Sequence, residues 1–147
     1  MATSESFFSK IDEPRVVEAI RAAELRTRGE IRIHVTEADV EDVVKKAAET
    51  FERLGMTATS ERNGVLIFVA PASRKFAVLG DSGLTSLVGT NALDEIASTM
   101  SAAFREGRFT DGLVATVARA GDLLAAHFPP KSGSADQDEL SNAISRG

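Results

Sequence analysis

Val65-Leu66-Ile67-Phe68-Val69-Ala70 is an unbroken apolar run, with Arg62-Asn63-Gly64 before it and Pro71-Ala72-Ser73-Arg74 after it. A strand with one wet face alternates between polar and apolar residues. A strand with no polar position has to be covered on both faces, so this run predicts a central strand between two layers of helix.

The flanking patterns supply the rest of that architecture. Glu30-Ile31-Arg32-Ile33-His34-Val35-Thr36 alternates and predicts a half-buried strand with His34 on its polar face. Between the two strands, Asp39 is the expected cap of a helix carrying Val40, Val44, Ala47, Phe51 and Leu54 at helical spacing, and Gly55 closes it. Phe76-Ala77-Val78-Leu79 makes a hairpin with the central strand. Upstream, Asp12 and Pro14 start a helix whose stripe is Val16, Val17, Ile20 and Ala23. Beyond Gly80-Asp81-Ser82-Gly83 the chain turns helical. A short helix stops at Gly89 and a longer one, through Leu93, Ile96, Met100 and Phe104, stops at Gly107. The last helix is capped by Thr110, ends at Pro129-Pro130, and carries Gly121 where close helix packing is expected. The pattern reads as α/β: a three-layer α/β/α sandwich, Rossmann-like, with a small mixed central sheet and a helical C-terminal half. One domain is expected over residues 1–130, followed by a polar tail, 131–147, with an acidic patch at Asp136, Asp138 and Glu139.

Composition narrows the function. Without cysteine there are no disulfides, thiolate metal sites or cysteine nucleophiles. Trp and Tyr are absent too, which removes most base-stacking platforms, and a net charge of −5 opposes binding to a phosphate backbone, so no nucleic-acid partner is expected. No stretch approaches the roughly 18 apolar residues of a membrane span, and no basic region with an apolar run opens the chain. The expectation is a cytoplasmic monomer.

Topology places the chemistry. A strand–helix–strand unit is a right-handed crossover between parallel strands, and the hairpin reverses the third strand. Glu30, Arg62-Asn63 and Gly80-Asp81 should therefore meet on one rim of the sheet. Glu30, Asn63 and Asp81 offer the oxygen-rich set that calcium or magnesium takes, and Ser82 and Gly83 open a helix whose N–H groups, with Arg62, suit an anion. The plainer reading stays open beside these. In it Asp81 caps the helix, Asn63-Gly64 is a turn, and Glu30 pairs with Arg62 or Arg32. The opposite rim gathers Glu37, Asp39, Ser73 and Arg74 and ranks second. His34 and His127 form no ligand spacing and read as solvated. Asp111 reads as a first-turn helix acid. Gly80-Asp81-Ser82-Gly83 is neither a phosphate loop nor a nucleophile elbow.

Several blocks, in order, resemble one family: Thr27-Arg28-Gly29-Glu30-Ile31-Arg32, Leu54-Gly55-Met56, Arg62-Asn63-Gly64-Val65-Leu66, Arg74 through Gly83, Phe104-Arg105-Glu106-Gly107, Asp111-Gly112-Leu113, His127-Phe128-Pro129 and Asp138-Glu139-Leu140-Ser141. They are similar to the TPM domain family, named after a thylakoid lumen protein, and this chain is similar to its short soluble branch. The resemblance implies a three-layer sandwich and binding of a divalent metal, chiefly calcium. It also implies an acid phosphatase activity attributed to plant relatives, and roles in photosystem or membrane-protein maintenance. Glu30, Asn63, Gly80 and Asp81 match the motif. Thr90-Asn91-Ala92-Leu93 departs from the acidic-aromatic run the family often has there, and Ser141 replaces a usual proline.

Three functions follow as expectations. The first is a metal-binding accessory domain with calcium or magnesium and no chemistry of its own. The second is a metal-dependent phosphatase, for which no nucleophile motif is found. The third is an interaction domain for a protein partner at a membrane.

Overall fold

The computed structural model describes residues 4–130 and 143–147. The chain runs α1 (Ser4–Ser9), α2 (Glu13–Glu24), β1 (Glu30–Val35), α3 (Val43–Arg53), β2 (Gly64–Ala70), β3 (Lys75–Gly80), α4 (Ser82–Val88), α5 (Asn91–Arg105), α6 (Phe109–His127) and β4 (Ser145–Arg146). Single 3₁₀ turns at Met56–Ala58 and Pro71–Ser73 lead into and out of β2.

Every residue of β2 is buried, as its apolar run requires. Its side chains divide by parity. Val65, Ile67 and Val69 join the larger core with Ile31, Ile33 and Val35 of β1 and Ile20, Met100, Leu113 and Leu124 of the helices. Leu66, Phe68 and Ala70 join a smaller core with Ala47, Phe51 and Met56. Alternation along one strand thus produces the three layers, with α3 on one face and α2, α5 and α6 on the other. The sheet order is β3-β2-β1-β4, with β1 parallel to β2 and β3 antiparallel to it. This is the mixed α/β sheet that the sequence predicts. Gly121 also behaves as predicted, since a Cβ there would lie 2.8 Å from the Ala23 Cβ, so α6 and α2 close on it.

Three local expectations are corrected. β1 is buried on both faces, with Glu30 2 % exposed and His34 0 %. At His34 the reason lies near the end of the chain, where Ser145 and Arg146 pair in parallel with His34 and Val35 and cover that part of the edge. Ile144, just before them, is buried in the larger core. A two-residue strand has no periodicity to read. The acidic patch at Asp136, Asp138 and Glu139 lies outside the described residues.

α3 starts one turn later than expected. Asp42 caps it, accepting from the Lys45 N–H at 3.1 Å. Asp39 is engaged elsewhere: its Oδ1 accepts from the Ser73 hydroxyl at 2.8 Å, and that hydroxyl accepts from the Val40 N–H at 2.7 Å. Val40 is therefore a buried loop residue. Thr110 likewise is no cap, because α6 begins at Phe109 and the Thr110 hydroxyl accepts from the Asp12 N–H at 3.0 Å, tying the start of α2 to α6.

Candidate functional site at the β1–β2–β3 edge

Glu30 stands opposite Gly64, and Val65 opposite Gly80. The starts of β1 and β2 and the end of β3 therefore form one edge, carrying Glu30, Arg62-Asn63 and Gly80-Asp81. Glu30, Asn63 and Asp81 are 2 %, 1 % and 6 % exposed. Polar groups so deeply buried have to be engaged.

Asp81 is the centre of that engagement. Arg62 donates to it through both arms, Nε to Oδ2 at 2.7 Å and Nη2 to Oδ1 at 2.9 Å, and the Ser82 N–H reaches Oδ1 at 2.7 Å. The Asp81 N–H donates to the Gly64 carbonyl at 2.9 Å, which fixes the loop to the sheet. Such a bidentate pair is geometrically specific. The hydrogen bonds that Arg62 donates to Asp81, and then the charge of that carboxylate, raise the Arg62 pKa above its ordinary value. Arg62 reaches this position through a left-handed backbone, φ 52°. The Asn63 amide donates to the Arg28 carbonyl at 3.4 Å. Asp81 thus caps α4 as the plainer reading holds, but its arginine partner is one that reading assigned to Glu30.

The helix start behaves differently from an anion site. The N–H groups of Ser82, Gly83, Leu84 and Thr85 donate internally, to Asp81 Oδ1, the Arg62 carbonyl and, for the last two, the Asp81 carbonyl. Gly83 is needed for close approach, since a Cβ on it would lie 2.0 Å from the Glu61 carbonyl oxygen. Gly80 serves packing in the same way, facing Leu93 at 2.9 Å.

Around this edge stand residues the sequence reading missed. Glu24, 3 % exposed, accepts the Ile31 N–H at 2.9 Å. Arg28 pairs with Glu61 at 2.6 Å and donates to the Pro129 carbonyl at 2.8 Å, while the Thr27 hydroxyl donates to the Phe128 carbonyl. Together they fasten the end of α6 to the entry of β1. The only sequence signal was the block Thr27-Arg28-Gly29-Glu30 itself.

A hard divalent cation has a partial fit here. Among the described residues no three of His, Cys, Asp and Glu come together as ligands. The edge does bring two carboxylates and one amide to the same border, and the Arg62 guanidinium already stands as a cation on Asp81. The donor types suit calcium or magnesium, while the number falls short of the six to eight oxygens of a calcium shell without main-chain carbonyls or water.

At the opposite rim, the Ser73 hydroxyl donates to Asp39, while Glu37 and Arg74 are exposed. His127 is exposed in the last turn of α6. Asp111 lies in the first turn of α6 and pairs with Arg15 at 3.0 Å on the surface. His34 departs from its expected solvated state. It stacks on Phe68 with ring centroids 5.8 Å apart, and its pKa is pushed down to about 4, by burial first and then by the charge of Arg53.

The TPM domain family profile matches residues 2–123, which takes in the whole edge from Glu30 to Gly83. This chain belongs to the TPM domain family. Among solved structures, the TPM domain is similar to the BA42 protein of the psychrophilic bacterium Bizionia argentinensis. The two are 40 % identical, with a TM-score of 0.83 and 92 % of each chain covered. It shares its fold with the N-terminal domain of a P. gingivalis protein, at 19 % identity and a TM-score of 0.59, over 76 % of this chain and 72 % of that one. No curated protein matches the sequence. Two of the blocks on which the resemblance rests, Arg62-Asn63-Gly64 and Gly80-Asp81, are the two sides of the Arg62–Asp81 pair in this TPM domain. Among its described residues no helix is long and apolar enough to cross a membrane.

Proposed function

We propose that this TPM domain is an accessory binding module whose Glu30–Asn63–Asp81 edge takes calcium or magnesium in exchange for Arg62. The observation that carries the reading is the unequal exposure of the ion pair: the Asp81 side chain is 5 % exposed and that of Arg62 48 %. The carboxylate is fixed by the sheet and by α4. The guanidinium is tethered from the outside and is free to rotate into solvent. A divalent cation would neutralise the buried carboxylates from the same border, with Glu30, Asn63 and Asp81 as its side-chain ligands. It would tie β1 to the β3–α4 loop, and no reaction is required of it.

A calcium and magnesium titration followed by backbone amide shifts tests this. Saturable shifts are expected at residues 30, 62–64 and 80–83. Asp81→Asn should abolish them. Arg62→Gln should tighten binding a few-fold, because it removes the resident competitor, whose half-exposed pairing is itself worth only about 1 kcal/mol. A titration that leaves those amides unmoved in both the native chain and Arg62→Gln overturns the proposal. Turnover of a chromogenic phosphate ester that needs the metal and is lost in Asp81→Asn would instead favour the phosphatase.

A further inference from the structure

Away from that edge, a cleft of about 720 Å³ opens where β2 ends and β3 begins, between α1 and the α5–α6 turn. Its floor is aromatic. Phe7 and Phe104 lie 5.8 Å apart, Phe104 and Phe109 5.3 Å, and Phe76 and Phe104 5.5 Å, so four rings form one connected cluster. Its rim is cationic, with Lys10, Arg74, Lys75 and Arg105 lining it and no Asp or Glu among the lining residues.

Two features make this more than an apolar dent. The chain carries 22 acidic residues against 17 basic ones, yet among the described residues none of these four cations pairs with a carboxylate. Lys75 spends its ammonium on the Glu41 carbonyl, Arg105 reaches the Ser101 hydroxyl, and Lys10 lies 5.8 Å from the centre of the Phe109 ring. Arg74 is held in a left-handed turn, φ 53°, at the mouth of the cleft. Local positive charge on a net negative protein attracts anions to this cleft. The phenyl floor, in turn, rewards an apolar body, and the volume falls in the range of small-molecule sites.

We propose that this cleft binds a single-chain anionic amphiphile, its alkyl chain on the phenylalanine floor and its phosphate or carboxylate head among Arg74, Lys10 and Arg105. Neither half suffices alone. An inorganic anion has no use for the rings, and a neutral hydrocarbon leaves the cations without a counter-charge. The cleft is recessed, so it suits a chain that enters it better than a flat bilayer surface.

The test is a titration of the full chain with dodecyl phosphate below its micelle concentration, read from amide shifts at 70–76 and 104–109. Inorganic phosphate, dodecyl maltoside and vesicles of a two-chain anionic phospholipid run in parallel. Saturable binding of dodecyl phosphate is expected, at least tenfold tighter than inorganic phosphate or dodecyl maltoside. The double variant Arg74→Asn, Lys10→Gln should weaken it at least tenfold while leaving binding of the maltoside unchanged. Asn tolerates the left-handed turn, and both positions are peripheral, so the variant keeps the fold. Equal binding of the maltoside would reduce the cleft to a greasy patch, and equal binding of phosphate to an anion site. Binding to vesicles alone would make it a membrane-facing surface. Shifts of the same amides with protein concentration alone would mean that a second copy covers the cleft. Each of these results overturns the proposal, as does the absence of any binding.

Discussion

The Ser145 hydroxyl lies 2.9 Å from Nδ1 of His34, joining the last strand to a ring buried in the sheet 111 residues earlier. The ring lies against Phe68 on its other side, and burial is the largest cause of its pKa standing near 4 against an ordinary 6.5. The folded chain therefore keeps His34 neutral where the unfolded chain protonates it. The linked stability is complete above pH 6.5, falls between 6.5 and 4, and levels off below 4. The loss across that window is on the order of 3 kcal/mol. Denaturant unfolding at several pH values should show the native chain losing stability faster than His34→Leu through this range. Parallel curves would sink the assignment.

Deleting residues 143–147 should release that histidine. Ile144 is 6 % exposed in the larger core, and Ser145 and Arg146 pair with β1. Exposing Ile144 alone costs about 2 kcal/mol, and the lost strand pairing adds about 1. The His34 pKa should climb toward its ordinary value, because relief of burial outweighs loss of the Gly147 backbone hydrogen bond that now raises it. Ring-proton titration by NMR reads the shift directly, and an unmoved histidine in the shortened chain would contradict it.

Asp81 has two structural duties that substitution separates. Asp81→Asn keeps an acceptor for the Ser82 N–H and loses the charge that holds Arg62. Asp81→Ala loses both. The expected losses are about 1 kcal/mol for Asn and about 2 to 3 kcal/mol for Ala, the difference being the value of a helix cap. Equal unfolding midpoints for the two variants would mean that the cap contributes nothing.

The sequence showed the frame well because the frame is written in periodicity. The apolar run of β2 required two covering layers, and the order strand, helix, strand, hairpin was enough to bring Glu30, Asn63 and Asp81 to one edge. What it hid were pairings between distant residues of ordinary type. Nothing near Asp39 announces that Ser73 claims it, nothing at Glu24 foretells the Ile31 N–H, and the two residues of β4 have no pattern. The burial of His34 is hidden for the same reason: alternation gives the side of the strand a residue faces, and whether that side is wet depends on β4 and α3. At the candidate site, residue types suggested a cation, while only geometry reveals that Arg62 already holds the carboxylate.

The glycines at the two ends of α4 should respond unequally to alanine. At Gly83 a Cβ would lie 2.0 Å from the Glu61 carbonyl oxygen and 2.6 Å from that of Arg62, both main-chain atoms that cannot rotate aside. The helix start would have to lift away, breaking the 2.8 Å bond from the Gly83 N–H to the Arg62 carbonyl. With the Asp81 cap dislodged too, Gly83→Ala should cost upward of about 3 kcal/mol. Gly89, at the other end of the same helix, has φ +75° and nothing within 4 Å of the added carbon. Only the backbone resists, because φ 75° with ψ 171° is a conformation that residues with a Cβ scarcely adopt, so Gly89→Ala should cost about 1 to 3 kcal/mol. Urea unfolding of the two variants ranks them. If Gly83→Ala is the milder, α4 does not approach the 61–62 loop as closely as described, and Asp81 is not held where Arg62 meets it.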